Sequence, residues 1–160
     1  MRFLERKIYP SLKEHLPKKQ ITILTGLRRT GKTTLIKKLM DDFEGKNKIY
    51  IDLERLDNRE LFSEKNYDNI IYSLGSRGLN FKEKTLIAID EVQLVPEMVS
   101  AIKYLYDNYD VKFLVTGSSS YYLKNLFSES LAGRKKVFEL YTLSYGEFLT
   151  FKNVEYNSKN

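Results

Sequence analysis

The stretch Gly26-Leu27-Arg28-Arg29-Thr30-Gly31-Lys32-Thr33 places a glycine at each end of a short loop, the second followed at once by a lysine and a hydroxyl residue. No other feature of the chain constrains its fold as tightly, because the pattern works only between a buried strand and a helix. The glycines let the backbone curl so that successive N–H groups point inward, and the start of the next helix adds its partial positive charge to that cradle. Both flanks meet the requirement. Residues Gln20 to Thr25 read as a buried strand, and Leu35, Ile36, Leu39, Met40 and Phe43 recur at helical spacing from Lys32 onward. An accidental glycine-rich turn would need neither flank. The loop is therefore expected to hold the phosphates of a nucleoside triphosphate through Gly26, Arg28, Arg29, Thr30, Gly31, Lys32, Thr33 and Thr34. Lys32 would reach the β- and γ-phosphates, and the Thr33 hydroxyl would ligate Mg²⁺.

The remaining elements alternate between strand and helix. Residues Phe3 to Leu16 read as an amphipathic helix that Pro10 kinks or splits. Lys48 to Leu53 form a second strand, a polar irregular stretch from Glu54 leads to a helix near Tyr67 to Leu74, and Thr85 to Ile89 run continuously apolar, as a strand buried on both faces does. Pro96 opens another helix. Val111 to Val115 and Val137 to Tyr141 supply a fourth and a fifth strand, and Ser144 caps a short helix containing Tyr145, Phe148 and Leu149. This order predicts an α/β fold, a three-layer sandwich with a mainly parallel five-stranded sheet, whose ligands sit beyond the carboxyl ends of the strands. Residues 1–19 are expected as an N-terminal helical segment, 20–151 as the phosphate-loop core and 152–160 as a polar tail or cut linker.

Asp90-Glu91 follows the apolar strand directly. A carboxylate there can hold Mg²⁺ opposite Thr33, and a second one next to it can polarise an attacking water as a general base. An acidic pair is also a common strand-end cap, but behind a phosphate loop the metal role for Asp90 and the base role for Glu91 are the expected ones. A whole strand and helix intervene between Lys32 and Asp90. That spacing suits hydrolytic ATPases rather than nucleotide kinases or GTPases, and no Asn-Lys-x-Asp guanine-reading motif is present. The fourth strand ends in Ser118-Ser119-Ser120; Ser118 or Ser119 either senses the γ-phosphate or the attacking water, or caps the helix that follows. Arg134 is a candidate arginine finger, in cis or on a neighbour's nucleotide, with a surface or salt-bridge role as the alternative. Asp52 joins the magnesium-water network or caps a turn. His15 is solvent-exposed or packs at a helix end, Tyr104, Tyr106 and Tyr109 fit a core-and-rim helix better than a base-stacking platform, and Tyr121 and Tyr122 with Lys124 could stack on a base.

Composition narrows the rest. A chain of 160 residues with 42% hydrophobic and 30% charged residues has the make-up of a soluble single domain. With no cysteine, disulfides, zinc-thiolate sites and cysteine nucleophiles are excluded. The start, Met1-Arg2-Phe3-Leu4-Glu5-Arg6-Lys7, lacks a signal-peptide core and no run reaches membrane-spanning length, so a cytoplasmic chain with no membrane partner is expected. The net charge of +6 admits nucleic acid as a partner, although the cations are scattered and a phosphate site recruits some of them anyway.

Taken together, Ile23-Leu24-Thr25-Gly26-Leu27-Arg28-Arg29-Thr30-Gly31-Lys32-Thr33-Thr34-Leu35, Ile89-Asp90-Glu91-Val92-Gln93, Thr116-Gly117-Ser118-Ser119-Ser120, Leu131-Ala132-Gly133-Arg134 and Leu143-Ser144-Tyr145-Gly146-Glu147-Phe148-Leu149 resemble a family of AAA-type P-loop ATPases common in archaea and bacteria. The resemblance implies ATP as the nucleotide, Mg²⁺ as its ion, the usual roles for Lys32, Thr33, Asp90 and Glu91, and a signature arginine at Arg134. It also implies a C-terminal domain of unknown function that usually follows the ATPase domain; self-association is the other partner to expect, should Arg134 act on a neighbour's nucleotide. The function expected is a Mg²⁺-dependent ATPase module that powers or regulates a larger protein or a nucleic-acid transaction. The alternative is an ATP-binding switch with negligible turnover; a small-molecule or nucleotide kinase is the weakest reading.

Overall fold

A computed structural model of the protein describes residues 4–118, 123, 125, 127 and 131–158. Five strands, β1 (Ile21–Gly26), β2 (Lys48–Asp52), β3 (Thr85–Asp90), β4 (Val111–Gly117) and β5 (Lys135–Leu140), form one sheet in the order β2-β3-β4-β1-β5. Every pairing is parallel. Parallel strands need crossover connections, and α2 (Lys32–Asp42), α3 (Leu56–Phe62), α4 (Tyr67–Ser76) and α5 (Met98–Asn108) lie in them, while α1 (Tyr9–His15) precedes β1 and α6 (Tyr145–Ser158) follows β5. The protein is an α/β sandwich built on an all-parallel five-stranded sheet.

Side-chain alternation along the strands divides the core in two. Ile23, Ile87, Ile89, Phe113 and Val115 pack with α4 and α5 through Ile70, Leu74, Met98, Ile102 and Leu105. On the other face Leu24, Leu86, Ala88, Leu114 and Phe138 meet α1 and α2 through Leu12, Leu35, Ile36 and Leu39. β3 lies in the middle of both layers, which is why its residues are all buried and why no alternation is visible in its sequence. Each fully buried Leu or Ile there contributes roughly 1.5–3 kcal/mol from burial alone.

The sheet matches the sequence reading more closely than the helices do. The N-terminal helix is shorter than its periodicity predicts: α1 starts at Tyr9 with Pro10 in its first turn, where a missing N–H costs nothing, so the proline begins the helix instead of kinking it. The stretch after Glu54 is not irregular but contains α3, held by Asn58 Nδ2 donating to the Asp52 carbonyl and Arg59 Nε to that of Leu53. The polar residues that read as a tail continue α6 as far as Ser158.

Candidate nucleotide site and family

β1 delivers the chain to Gly26 and α2 resumes at Lys32, so the loop between them lies at the carboxyl end of the sheet. Both glycines are required there by geometry. A Cβ on Gly26 would strike the backbone carbonyl oxygen of Leu140, and Gly31 holds φ at 100°, in the left-handed region. Thr30 Oγ1 closes the loop by donating to the Leu27 carbonyl at 2.8 Å. Lys32 is 4% exposed, and its Nζ donates to the carbonyls of Gly26 and Leu27, each at 2.8 Å. Burial pulls this ammonium below its ordinary pKa, while Glu91 and Asp90 draw it back up. Arg28 and Arg29 are exposed, and Arg29 takes a φ of 63°, a conformation that costs a non-glycine residue roughly 1–2 kcal/mol.

Asp90 ends β3 directly across from α2. Thr33 Oγ1 donates to Asp90 Oδ2 at 2.7 Å, Tyr50 OH to the same oxygen at 2.6 Å, and Thr116 Oγ1 to Oδ1. Three hydroxyls from three elements thus fix one carboxylate. Burial, with Asp90 next in effect, pushes the Tyr50 phenol well above its ordinary range, so it stays a donor. Glu91 follows with φ 62° and ψ 51°, a left-handed non-glycine residue at the turn. Its N–H donates to Thr116 Oγ1 at 3.0 Å; its Oε2 accepts from Ser118 Oγ at 2.8 Å and from Gln93 Nε2 at 2.5 Å.

Two cavities flank the loop. One, of about 340 Å³, is lined by Arg28, Arg29, Gly31, Lys32, Thr33, Glu54 and Glu91. The other, of about 640 Å³, is mostly apolar and takes Leu4, Leu35, Leu143 and Phe151 together with Arg6, Arg29, Thr30, Gly31, Thr34 and Thr142. Arg6 forms the floor between loop and C-terminal helix. Its Nη1 donates to the Thr30 carbonyl at 2.8 Å, Nη2 to that of Tyr141 at 2.6 Å, and Nε to Glu147 Oε2 at 2.6 Å.

The structure therefore brings together Gly26, Thr30, Gly31, Lys32, Thr33, Asp90, Glu91 and Ser118. It does not bring Arg134 to the phosphate loop of its own chain. The Arg134 carbonyl accepts from Ile21 N–H at the amino end of β1, one strand length from Lys32, and its guanidinium lies 3.3 Å from Asp107. Asp52 caps a turn, with Oδ1 accepting from Glu54 N–H at 2.9 Å. His15 packs at a helix end, 2% exposed against Phe138. Ser119, Ser120, Tyr121, Tyr122 and Lys124 lie outside the described residues. Sequence reasoning gave no individual role to Tyr50, Thr116, Gln93, Arg6 or Glu147, although Thr116, Gln93 and Glu147 fall in the motifs that carry the resemblance. Only Glu147 carries a local signal, as the third residue after Ser144 in a capping box: Glu147 N–H donates to Ser144 Oγ at 3.2 Å and Ser144 N–H to Glu147 Oε1 at 3.0 Å.

A family model described as an AAA domain matches residues 18–149, which spans the phosphate loop, Tyr50, Asp90, Glu91, Thr116, Ser118 and Glu147. The chain belongs to the AAA domain family. An uncharacterised Haemophilus influenzae protein is 26% identical over 87% of this chain, and an uncharacterised Methanocaldococcus jannaschii protein 31% identical over 84%. The chain spans only 35% and 29% of those relatives' lengths. Among solved structures, a Walker-type ATPase of Pyrococcus abyssi superposes with a TM-score of 0.69 at 20% identity, covering 99% of this chain and 59% of that one. A chain of Drosophila ORC bound to DNA superposes with a TM-score of 0.60 at 13% identity, covering 89% and 93%. At these identities the superpositions establish a shared fold.

Proposed function

We propose that this AAA domain binds ATP across the two cavities beside Gly31 and hydrolyses it with Mg²⁺, with Glu91 as the general base. The observation that carries the reading is the Thr33–Asp90 pair, a hydroxyl and a carboxylate 2.7 Å apart at the mouth of a phosphate loop, with Glu91 next in the chain. Both are hard oxygen donors, and Mg²⁺ is commonly held by one carboxylate, a loop hydroxyl and phosphate oxygens, so these residues fit it. When bound, Mg²⁺ would neutralise charge on the β- and γ-phosphate oxygens.

The chain's own groups supply the rest. Lys32 exchanges the carbonyls of Gly26 and Leu27 for phosphate oxygens, and the loop N–H groups cradle the polyphosphate. The apolar walls of Leu4, Leu35, Leu143 and Phe151 take the base and exclude water from one side of it. Glu91 accepts the proton of the attacking water, with Ser118 orienting its carboxylate or that water. Arg134, far from its own loop, would act on a neighbour's nucleotide, which makes self-association part of the proposal. A cytoplasmic setting and a role in a larger protein or a nucleic-acid transaction go with it. The much longer relatives and the DNA-bound structural neighbour support that role.

One observation favours the switch reading: both Ser118 and Gln93 already occupy Glu91 Oε2. Measuring ATPase rate per molecule over a wide range of chain concentration, with Mg²⁺, separates the two. A rate that climbs with concentration supports sites completed between copies. A rate indistinguishable from buffer at every concentration, with ATP still bound, supports the switch and rejects hydrolysis by this chain.

A further inference from the structure

The opposite pole of the sheet, where the strands begin, carries cations that the nucleotide site does not use. Register and alternation gather them on the α1/α2 face. Lys112 pairs with Leu86, and Thr22 lies between Leu114 and Lys136, so Lys112 and Lys136 point to the same side as Leu114 and Phe138. Lys84, two residues before Leu86, shares that parity. The contacts are close: Lys136 Nζ lies 5.2 Å from the Phe138 ring, that ring 5.5 Å from the His15 ring, and His15 Nδ1 3.4 Å from Lys112 Nζ. Lys84 Nζ sits 5.9 Å from the Phe43 ring on the other flank.

Some basic residues at this pole have structural duties. Lys112 is buried and donates to the His15 carbonyl at 3.2 Å, closing α1, while Lys48 Nζ donates to the Met40 carbonyl at 2.7 Å near the end of α2. On the α5 side, Lys19 is held by the Tyr109 carbonyl and the charges of Asp110 and Asp107, and Arg134 pairs with Asp107. Lys18, Lys84 and Lys136 donate no such hydrogen bond among the described residues, although Lys84 shares a cleft with Asp42 and Glu44. All are exposed, and none forms an ion pair among the described residues. Their field is strong enough to register on the groups beneath them. Burial first, then Lys84 and Lys18, bring Lys112 down to about 7; burial, then Lys112, with Lys136 and Lys18 adding to it, brings His15 down to about 4. Exposed like charges converging on a buried lysine are costly unless an anion covers them.

We propose that this pole is a nucleic-acid backbone site, in which Lys18, Lys84 and Lys136 contact phosphates. A phosphate backbone needs only cations, held in a rigid array and independent of base sequence. A membrane surface or an apolar protein groove would want exposed hydrophobic side chains alongside. Of the eight large exposed hydrophobics among the described residues, seven follow the carboxyl ends of β1, β2 or β5, and the eighth, Tyr72, lies within α4. The site stands whether or not the chain hydrolyses ATP. Its distance from the phosphate loop is the length of β1, on the order of 20 Å.

The test uses the 160-residue chain and a fluorescein-labelled single-stranded oligonucleotide of mixed sequence, followed by anisotropy across a salt series. The combined variant Lys18→Gln, Lys84→Gln, Lys136→Gln should lose at least about tenfold in affinity at low salt, and its log–log salt slope should shrink by about 2, since each lost phosphate contact accounts for about 0.7 on a single strand. The charge-matched variant Lys65→Gln, Lys103→Gln, Lys152→Gln should bind like the parent, with thermal unfolding run on both to show that they fold. Equal losses in the two variants would mean that net charge alone attracts the oligonucleotide, and would overturn the site. No binding by the parent, or binding to phosphatidylserine vesicles but not to the oligonucleotide, would overturn it as well.

Discussion

Asp90 shows how much of the site depends on hydroxyls that carry no motif of their own. Its two oxygens take donors from Thr33 on α2, Tyr50 on β2 and Thr116 on β4. Thr116 matters twice, because the same Oγ1 that donates to Asp90 accepts the N–H of Glu91 and so sets where the second carboxylate starts. Thr116→Val keeps the shape and deletes both bonds inside a fully buried site. It should lower stability by about 2 kcal/mol, read by urea unfolding, and depress ATPase rate more than ATP affinity. An unchanged midpoint would mean that Asp90 is held adequately without it. The loop and the neighbouring Asp90-Glu91 pair could be singled out in the sequence because each is a run of adjacent residues beside a recognisable strand. Tyr50 and Thr116 were not, because a strand residue reveals its partner only once strand order and register are known.

At the scale of elements, one ion pair ties three segments around the loop. Arg6 and Glu147 stand 141 positions apart, and their side chains meet at 2.6 Å with each only 9% exposed. Glu147 also accepts the N–H groups of Lys7 and Ser144, so the N-terminal segment, the phosphate loop through Thr30 and the start of α6 share one anchor. Burial works to raise the Glu147 pKa, yet the Ser144 N–H, the Arg6 guanidinium and the Lys7 N–H hold it down at about 2, against an ordinary 4.5. The folded state thus favours the ionised carboxylate. Its stabilisation is complete above about pH 4.5 and is lost as pH falls from 4.5 toward 2. Thermal midpoints should fall across that window in the parent and much less in Glu147→Gln, which starts lower. Arg6→Ala leaves a buried carboxylate without its cation and should cost about 3 kcal/mol; equilibrium unfolding measures it, and a loss near zero would refute the anchor. The capping half of this arrangement was readable in Ser144 and Glu147. The ion pair was not, since Arg6 and Glu147 lie 141 positions apart and nothing in either local segment points to the other. α3 escaped notice for a similar reason: its anchors, Asn58 and Arg59, are polar residues whose partners are the carbonyls at and just after the end of β2.

Across the whole molecule, the sheet separates two charged poles, with the phosphate loop at the carboxyl end and the lysine cluster at the other. The layered architecture was legible because a continuously apolar strand, such as Thr85 to Ile89, alternating with helical segments, points to a parallel sheet covered on both faces. The second pole was not, because Lys18, Lys84 and Lys136 are scattered in sequence and meet only through strand register. Lys112 reports on that pole. Its folded pKa of about 7 lies below the ordinary 10.5, so between those values the unfolded chain binds more protons and stability rises with pH. Lys112→Met should flatten the rise in stability between pH 7 and 10 relative to the parent; identical slopes would show that Lys112 stays charged in the fold. The central claim, hydrolysis with Glu91 as base, is tested most directly by comparing parent and Glu91→Gln for Mg²⁺-dependent ATP turnover and, in parallel, for ATP binding. ATP binding retained with turnover lowered by about 10²–10⁴ is the expected result, and turnover equal to the parent would contradict it.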